Sequence, residues 1–357
     1  MSTPTPLAGM RVIELTQFIA GPTAAQLLAD FGADVLKIEP ASGDGSRQLP
    51  GTAFGSAYFR SFNTSKRNLV LDMRSSEGRA QLEALLAEAD ALVCNMAPAA
   101  LKRAGLAPED LQARFPKLVI TLISGFGRND GRSCMDTIAQ CESGFAWLNA
   151  DADGTPRVST SWPVDFYSGL YAAFSTAMAL CDRKRTGGMI IDLTMMDVAS
   201  AVLLGPAAIL ASEGAGLTPG TGNRDRASAP SNVYACADGF IYIYGGMDPY
   251  WKRLRPVIGG EEGDARTRLA RAPEFDAMVE AWTRERTRDE VLAVMAELAI
   301  PAGAVRQPDE AITMMRRADP GAVSRQLPSG EHLPAFPACF DGQRILRQPA
   351  PKLPDTE

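Results

Sequence analysis

A chain of 357 residues, 46% apolar and 22% charged, has the make-up of an ordinary globular protein and enough length for two domains. Its net charge of −6 argues against a nucleic-acid partner. The single histidine, His332, rules out a multi-histidine metal site within one chain and leaves only one imidazole to serve as a base.

Six cysteines, Cys94, Cys134, Cys141, Cys181, Cys236 and Cys339, show neither CxxC nor zinc-ligand spacing. They are expected to be small buried hydrophobes in a reducing compartment. Residues 1–7 carry no basic or apolar signal region, and no apolar run has membrane-spanning length, so a cytoplasmic location is expected.

Residues 10–15 read as a short apolar strand. Ala20, Gly21 and Pro22 read as a turn, with Pro22 suited to a first helical position. From residue 23 to 31, Ala24, Leu27, Leu28 and Phe31 share one helical face, and Gly32 stops the helix. A second strand spans residues 33–39. This βαβ unit implies parallel pairing with a right-handed crossover. The turn FIAGP at 18–22 is not GxGxxG, so a doubly wound sheet is expected without the dinucleotide fingerprint. Glu39 ends the second strand, where a ribose-binding acid would stand, but a strand-end carboxylate in solvent is the favoured expectation.

Residues 40–51 read as loop. Lys66 and Arg67 are adjacent cations before a strand at 68–72, readable as a solvated pair or as a phosphate contact. A helix at 76–89, a strand at 91–94, short helices at 98–104 and 108–115, and a β-branched strand at 118–123 follow. The last ends in SGFG at 124–127, outside a strand's carboxyl end, where open α/β sheets bind ligands. Residues 133–147 are expected to be helical.

The stretch SWPVDFYSGLYAA at 161–173 places one carboxylate, Asp165, before an apolar helical run. Pro163 is expected to hold Trp162 extended and to preset a helix start. Tyr167, Leu170, Tyr171, Phe174 and Met178 keep the helical period. Asp165 therefore falls at or near a helix N-terminus. There it either caps the helix or points into a pocket, free to attack an electrophilic carbonyl. A strand at 189–193 and an apolar helix from Thr194 to near Leu210 complete an alternating α/β pattern.

A Gly/Pro/Thr-rich connector at 214–223 marks a boundary. The expected organisation is a large α/β domain at 1–213, a small α+β domain at 224–305, and a return to the large domain at 306–357. The small domain opens with a hairpin at 232–244 turning at Asp238 and Gly239. Helices are expected at 249–258, 274–283 and 287–298. Residues 301–305 and the Pro-rich tail are expected to run back towards the first domain.

The motifs PLAGMRVIEL (6–15), AGP (20–22), FGADVLKIE (31–39), GD (43–44), NTSKR (63–67), PVD (163–165), TGG (186–188), ADG (237–239) and IPA (300–302) occur in one order and spacing. In that order the chain resembles the class III coenzyme A transferases, the group of formyl-CoA and crotonobetainyl/carnitine CoA-transferases, and their relative α-methylacyl-CoA racemase. The resemblance implies a Rossmann-like large domain with a parallel sheet, built from both chain ends, and an interlocked homodimer with the active site at its interface. It implies an acyl-CoA and a small carboxylic acid as substrates. It implies Asp165 as the nucleophile, passing through an aspartyl–acyl anhydride and an aspartyl–CoA thioester, chemistry that needs neither His nor metal.

Further positions carry over. Lys66 and Arg103 match contacts to CoA phosphates. Asn95 and Met96 match the adenine–pantetheine path, Phe18 and Ile19 the channel near the thioester, and Met195 a wall. Core packing is the alternative for Phe18, Met96 and Met195.

The chain also departs from the pattern. Met135 stands before Asp136 where racemases carry a His, which disfavours α-proton exchange. The glycine-rich loop of formyl-CoA transferases is not reproduced, and residues 220–223 or Gly245 and Gly246 are the candidates for it. Pro40 stands where a basic residue usually follows KIE. CoA transfer is the leading expectation. An acyl-CoA racemase or epimerase, and a non-catalytic CoA-binding module, are the alternatives.

Overall fold

The computed structural model describes residues 5–203, 205 and 220–353. The chain divides into two compact units. One holds Met1–Phe145, Val158–Gly216 and Met315–Glu357; the other holds Ala146–Arg157 and Leu217–Met314.

The first unit contains strands β1 (Arg11–Leu15), β2 (Asp34–Glu39), β3 (Gly51–Thr52), β4 (Gly55–Ser56), β5 (Arg67–Val70), β6 (Ala91–Cys94), β7 (Val119–Ser124) and β8 (Ile190–Thr194). Its helices are α1 (Ala20–Asp30), α2 (Ala57–Phe62), α3 (Ser76–Ala87), α4 (Pro98–Arg103), α5 (Pro108–Arg114) and α6 (Asp136–Glu142). The four-residue α7 (Phe145–Leu148) passes into the second unit after Phe145, and α8 (Pro163–Thr186) and α9 (Met195–Val202) belong to the first.

β3 and β4 form a small ladder of their own. The other six strands make one parallel sheet in the order β5-β2-β1-β6-β7-β8. Taken in chain order these six stand 3-2-1-4-5-6, the doubly wound arrangement whose direction reverses between its first and fourth strands. Here that reversal lies between β1 and β6.

Alternation along each strand builds two cores. Val12, Val35 and Val93 face α1 and α8, packing on Ala24, Leu28, Ala172 and Leu180. Ile13, Leu92 and Ile120 face the other way, onto Leu82 and Leu86 of α3 and Leu111 of α5.

α1 begins three residues before the expected start, because Thr23 N donates to Ile19 O at 2.7 Å and Ala20-Gly21-Pro22 forms its first turn. Pro22 loses nothing there, since first-turn amides have no intrahelical partner. α1 and α8 approach closely at Gly169. A Cβ on Gly169 would lie 2.5 Å from Thr23 Cβ and 2.8 Å from Ala20 O.

The end of the chain packs into this unit. The Arg347 guanidinium donates to buried Asp30, Nε to Oδ1 at 2.9 Å and Nη2 to Oδ2 at 2.6 Å. Ser65 and Gln348 exchange two hydrogen bonds, and Arg47 donates to Pro351 O at 3.0 Å.

In the second unit, β9 (Ser231–Cys236) and β10 (Gly239–Tyr244) form the expected hairpin. Residues 301–305 do not run back to the first unit as expected. Ala302–Val305 is β11, the third strand of this antiparallel sheet, with Ile241 opposite Ala304 and Ile243 opposite Ala302. Helices α10 (Asp248–Ile258), α11 (Ala265–Ala270), α12 (Ala272–Thr283) and α13 (Arg288–Glu297) cover one face, and Ile241, Ile243, Trp251, Phe275 and Val291 form the core. Thr287 and Glu290 close a reciprocal cap at the start of α13.

Other expectations are corrected. The helix read at 133–147 is two short helices, broken at Gly144 with φ +87°. Of the six cysteines only Cys94 is buried; Cys134 and Cys236 are half-buried, and Cys141 and Cys181, on helices, and Cys339, on a two-residue strand, are exposed. Most of the helix expected after Val202, and most of the 214–223 connector, lie outside the described residues. Among the described residues no helix is long and apolar enough to cross a membrane.

Candidate active site

A cavity of about 510 Å³ opens at the carboxyl ends of β1 and β6, the reversal point of the sheet, and every residue lining it belongs to the first unit. Its floor is closed by a reciprocal pair. Gln17 N, just after β1, donates to Asn95 Oδ1 at 2.9 Å, and Asn95 Nδ2, just after β6, donates to Gln17 O at 2.9 Å. Phe18 follows in the left-handed region, φ +66°, and its N donates to Asp44 Oδ1 at 3.3 Å.

Below this loop lies a buried ionic cluster. Lys37 Nζ reaches Glu14 Oε1 at 2.9 Å, Thr16 O at 2.8 Å and Asp44 Oδ2 at 3.0 Å. Burial opposes its charge, but Glu14 and Asp44 outweigh that and raise its pKa. Lys66 Nζ meets Glu14 Oε2, Asn63 Oδ1 and Pro22 O, each at 2.9 Å. Complete burial pulls its pKa down to about 8 despite Glu14.

Glu39 is not in solvent as expected. It is 1% exposed, takes two bonds of 2.7 Å from Arg47 and accepts from Asp44 N at 2.9 Å. Burial works against its charge, but Arg47 and the Asp44 amide prevail and hold the carboxyl below the usual range.

Asp165 is the third residue of α8. The α8 N-terminus is capped by another residue, Asp136. Its Oδ1 accepts from Val164 N at 2.7 Å and from Asp165 N at 3.1 Å. Gln140 fixes Asp136 in turn, donating to its Oδ2 and to Ser159 O at 2.9 Å, while Gln140 Oε1 accepts from Ser159 N at 2.7 Å. The capping is done by Asp136, and Asp165 is among the residues lining the cavity. Burial, and then the Asp136 charge, push its pKa from 3.8 up to about 7.

Trp162 is not extended as expected but left-handed, φ +54°. Its carbonyl accepts from Phe166 N at 3.1 Å, closing the first turn of α8, and its ring stands edge-on to Tyr58 at 5.3 Å. The Tyr58 hydroxyl is pushed up to about 12 by burial and by Asp165.

Six of the residues singled out from the sequence meet at this cavity: Asp165, Phe18, Ile19, Asn95, Met96 and Met195. Ile19 and Met195 are buried while Phe18 is 36% exposed. Lys66 is enclosed by the cluster beneath and does not line it. Arg103 is exposed at the end of α4, whose Pro98 and Ala100 line the cavity; Arg103 itself does not. His332 is exposed on a short strand and is not part of the lining. Gly220 to Asn223, and Gly245 with Gly246, belong to the second unit.

Sequence reasoning missed the capping role of Asp136, which lies 29 positions from its partner amide and has no local signature. It also passed over Arg132, the one basic side chain among the lining residues. Arg132 donates to both oxygens of Asp130 and to Glu142, and its guanidinium lies 3.7 Å over the Phe126 ring. Among the described residues no group of three His, Cys, Asp or Glu could hold a metal ion.

A parallel sheet with a carboxylate-bearing cavity at its reversal point marks a small-molecule site of the α/β class. The comparisons specify which. The model of CoA-transferase family III matches residues 7–356, and the chain belongs to that family and is a transferase. It is 32% identical over 342 residues to a succinate–glutarate CoA-transferase of Agrobacterium fabrum, covering 90% of this chain and 84% of that one. It is likewise 32% identical over 333 residues to a formyl-CoA:oxalate CoA-transferase of Afipia carboxidovorans, covering 84% and 78%. The crystal structure of a CAIB/BAIF family protein from Brucella suis superposes with a TM-score of 0.86 at 31% identity, over 98% of this chain and 97% of that one.

Proposed function

We propose that this transferase moves CoA between an acyl-CoA and a carboxylic acid through covalent intermediates on Asp165. The observation that carries this reading is the division of labour at the start of α8: Asp136 takes the amides of Val164 and Asp165, and Asp165 lines the cavity.

The carboxylate attacks the thioester carbonyl, a C–O bond forms, the C–S bond breaks, and CoA thiolate leaves. The thiolate attacks the aspartyl carbonyl of the anhydride and expels the first acid as its carboxylate. An incoming carboxylate then attacks the aspartyl thioester, forming a second anhydride and freeing the thiolate. Attack of that thiolate on the new acyl carbonyl gives the product acyl-CoA and restores Asp165. No proton or electron is gained or lost over the cycle, so a single carboxylate serves. Met135 beside Asp136 gives α-proton exchange no imidazole, which favours transfer over racemisation.

Phe18, Ile19, Met96 and Met195 supply an apolar channel for the pantetheine arm, and Asn95 keeps its walls at fixed separation. Lys66 supports the loop from below, and Arg103 lies beyond the cavity rim as a phosphate contact. Phe166, Leu170, Phe174 and Met178 recur every fourth residue of α8 and are exposed, a face suited to a second copy, so the working form is a homodimer. Sedimentation of Phe174→Glu beside the native chain tests that.

Incubation with acyl-CoA followed by hydroxylamine tests the chemistry. Mass spectrometry is expected to find a hydroxamate on Asp165, and Asp165→Ala is expected to lose at least about a thousandfold in turnover while still binding acyl-CoA. Normal turnover in Asp165→Ala, or an adduct elsewhere, would refute it.

A further inference from the structure

Two polar side chains behind the nucleophile are buried and line no part of the cavity: Asp136, 2% exposed, and Gln140, with no exposed surface. They stand four residues apart on α6, so both project from one face of it. The cap on α8 accounts for Asp136. Gln140 is in contact with neither cavity nor solvent, and its amide is committed to two partners, Asp136 and Ser159.

Those bonds fix which way the amide faces. Oε1 accepts from Ser159 N at 2.7 Å and Nε2 donates to Ser159 O at 2.9 Å, so its two polar atoms straddle one backbone residue. Turning the amide over would set oxygen against carbonyl and nitrogen against amide, and lose both bonds. The remaining N–H of Nε2 is left for Asp136 Oδ2. Ser159 is itself braced. It lies just after the chain returns to the first unit at Val158, and its Oγ shares a hydrogen bond with Ser161 Oγ at 2.8 Å.

The two oxygens of Asp136 are thus held by different elements. Gln140 holds Oδ2 from the same helix, while Oδ1 takes Val164 N at 2.7 Å and Asp165 N at 3.1 Å at the start of α8. A carboxylate anchored at one oxygen swings about that anchor, and one anchored at both does not. The Asp136 charge also acts on Asp165, where it is the second cause, after burial, that raises the carboxyl. The setting of an attacking group matters finely: a misplacement of about 1 Å costs on the order of a hundredfold in rate. No other side chain serves in place of Gln140. An ionised glutamate has no donor for Asp136, and asparagine is one methylene short.

We propose, resting on the aspartyl mechanism above, that Gln140 is a positioning residue for the nucleophile, holding Asp136 so that the first turn of α8 presents Asp165 at one setting. It acts through Asp136 and touches no substrate.

The test is single-turnover labelling by succinyl-CoA and butanoyl-CoA with enzyme in excess, read as CoA release and as hydroxamate on Asp165. Gln140→Met keeps the volume and removes every hydrogen bond. The rate at saturation is expected to fall at least about tenfold while the dissociation constant changes less than about threefold, because Gln140 lies off the cavity. Gln140→Asn, too short for both partners, is expected to slow labelling to the same degree, and it carries the test if Gln140→Met does not fold. A smaller loss of rate in a folded variant, or a loss carried by affinity, overturns the inference and leaves the aspartyl mechanism standing. In an Asp136→Asn background, Gln140→Met is expected to alter the rate by less than about threefold, and a larger change there overturns the assignment of its action to Asp136. Failure of the native chain to label Asp165 with either thioester overturns the mechanism and the inference with it.

Discussion

Replacing Asp165 by Asn is expected to stabilise the protein, and only at neutral and alkaline pH. The folded environment raises the Asp165 pKa from 3.8 to about 7, first through burial and then through the Asp136 charge. A group bound more tightly by its proton in the folded state favours folding while it stays protonated in both states, below about pH 4. As pH rises towards 7 the unfolded chain ionises freely while the folded chain resists, so that contribution is lost, and above 7 the loss is complete. Moving a carboxyl group from 3.8 to about 7 corresponds to roughly 4 kcal/mol between its two forms. Asp165 is only half-buried on a cavity wall, where water reaches one side and screens the charge, so about 2 kcal/mol is the fair expectation. For a chain of this length that is about 3 °C in Tm. Asn removes the charge and keeps the shape. Thermal melts of the native protein and Asp165→Asn, from pH 3.5 to 8.5, should coincide at the acid end and separate through pH 4–7, with the variant higher. A constant offset across the whole range, or a variant less stable at pH 8, would refute the argument that this site stores strain in an unneutralised carboxylate.

Other consequences follow from the same geometry. If the ionised Asp165 is the nucleophile, kcat/KM should rise with pH through about 7; Asp136→Asn, whose amide oxygen still accepts from Val164 and Asp165, should move that limb down by roughly one pH unit, and an unmoved limb would show that the Asp136 charge does not act on Asp165. Lys37→Met leaves Asp44 buried without its cation and should cost about 3 kcal/mol in urea unfolding, a loss under ~1 kcal/mol counting against the cluster as a structural element. Gly169→Ala places a methyl 2.5 Å from Thr23 Cβ and should cost about 1–3 kcal/mol by separating α8 from α1, whereas a neutral change would mean that the crossing is looser than its geometry.

What the sequence made legible was local. Gly32 stopping α1, the β-branched run of β7 and the turn at Asp238 and Gly239 each announce their element within a few residues. Their order was enough to place a parallel sheet and a ligand cavity at strand ends. The parts that went astray depend on partners distant in the chain. Glu39 looks like a solvent-facing strand end until Arg47, in a short 3-10 helix eight residues on, folds over it. Lys66 reads as half of a surface pair, yet its ammonium ends on Glu14 from another strand. β11 has the sequence AGAV, too small to signal a strand, and is one only because β10 offers it an edge. The cap on α8 shows the same limit: Asp165 occupies the position where a cap would be read, while Asp136 does the capping from another helix. Periodicity reports which way a side chain faces. It carries no record of which charge it will meet.

Asp30 and Arg347 are 317 positions apart and pair in the interior of one unit. During synthesis Asp30 is made early, and the Arg347 guanidinium arrives only after the whole second unit has been made. Until then a buried Asp30 carboxylate would lack its guanidinium and feel Lys66 as its other nearby cation. One ion pair thus joins the first helix of this unit to a residue made 317 positions later.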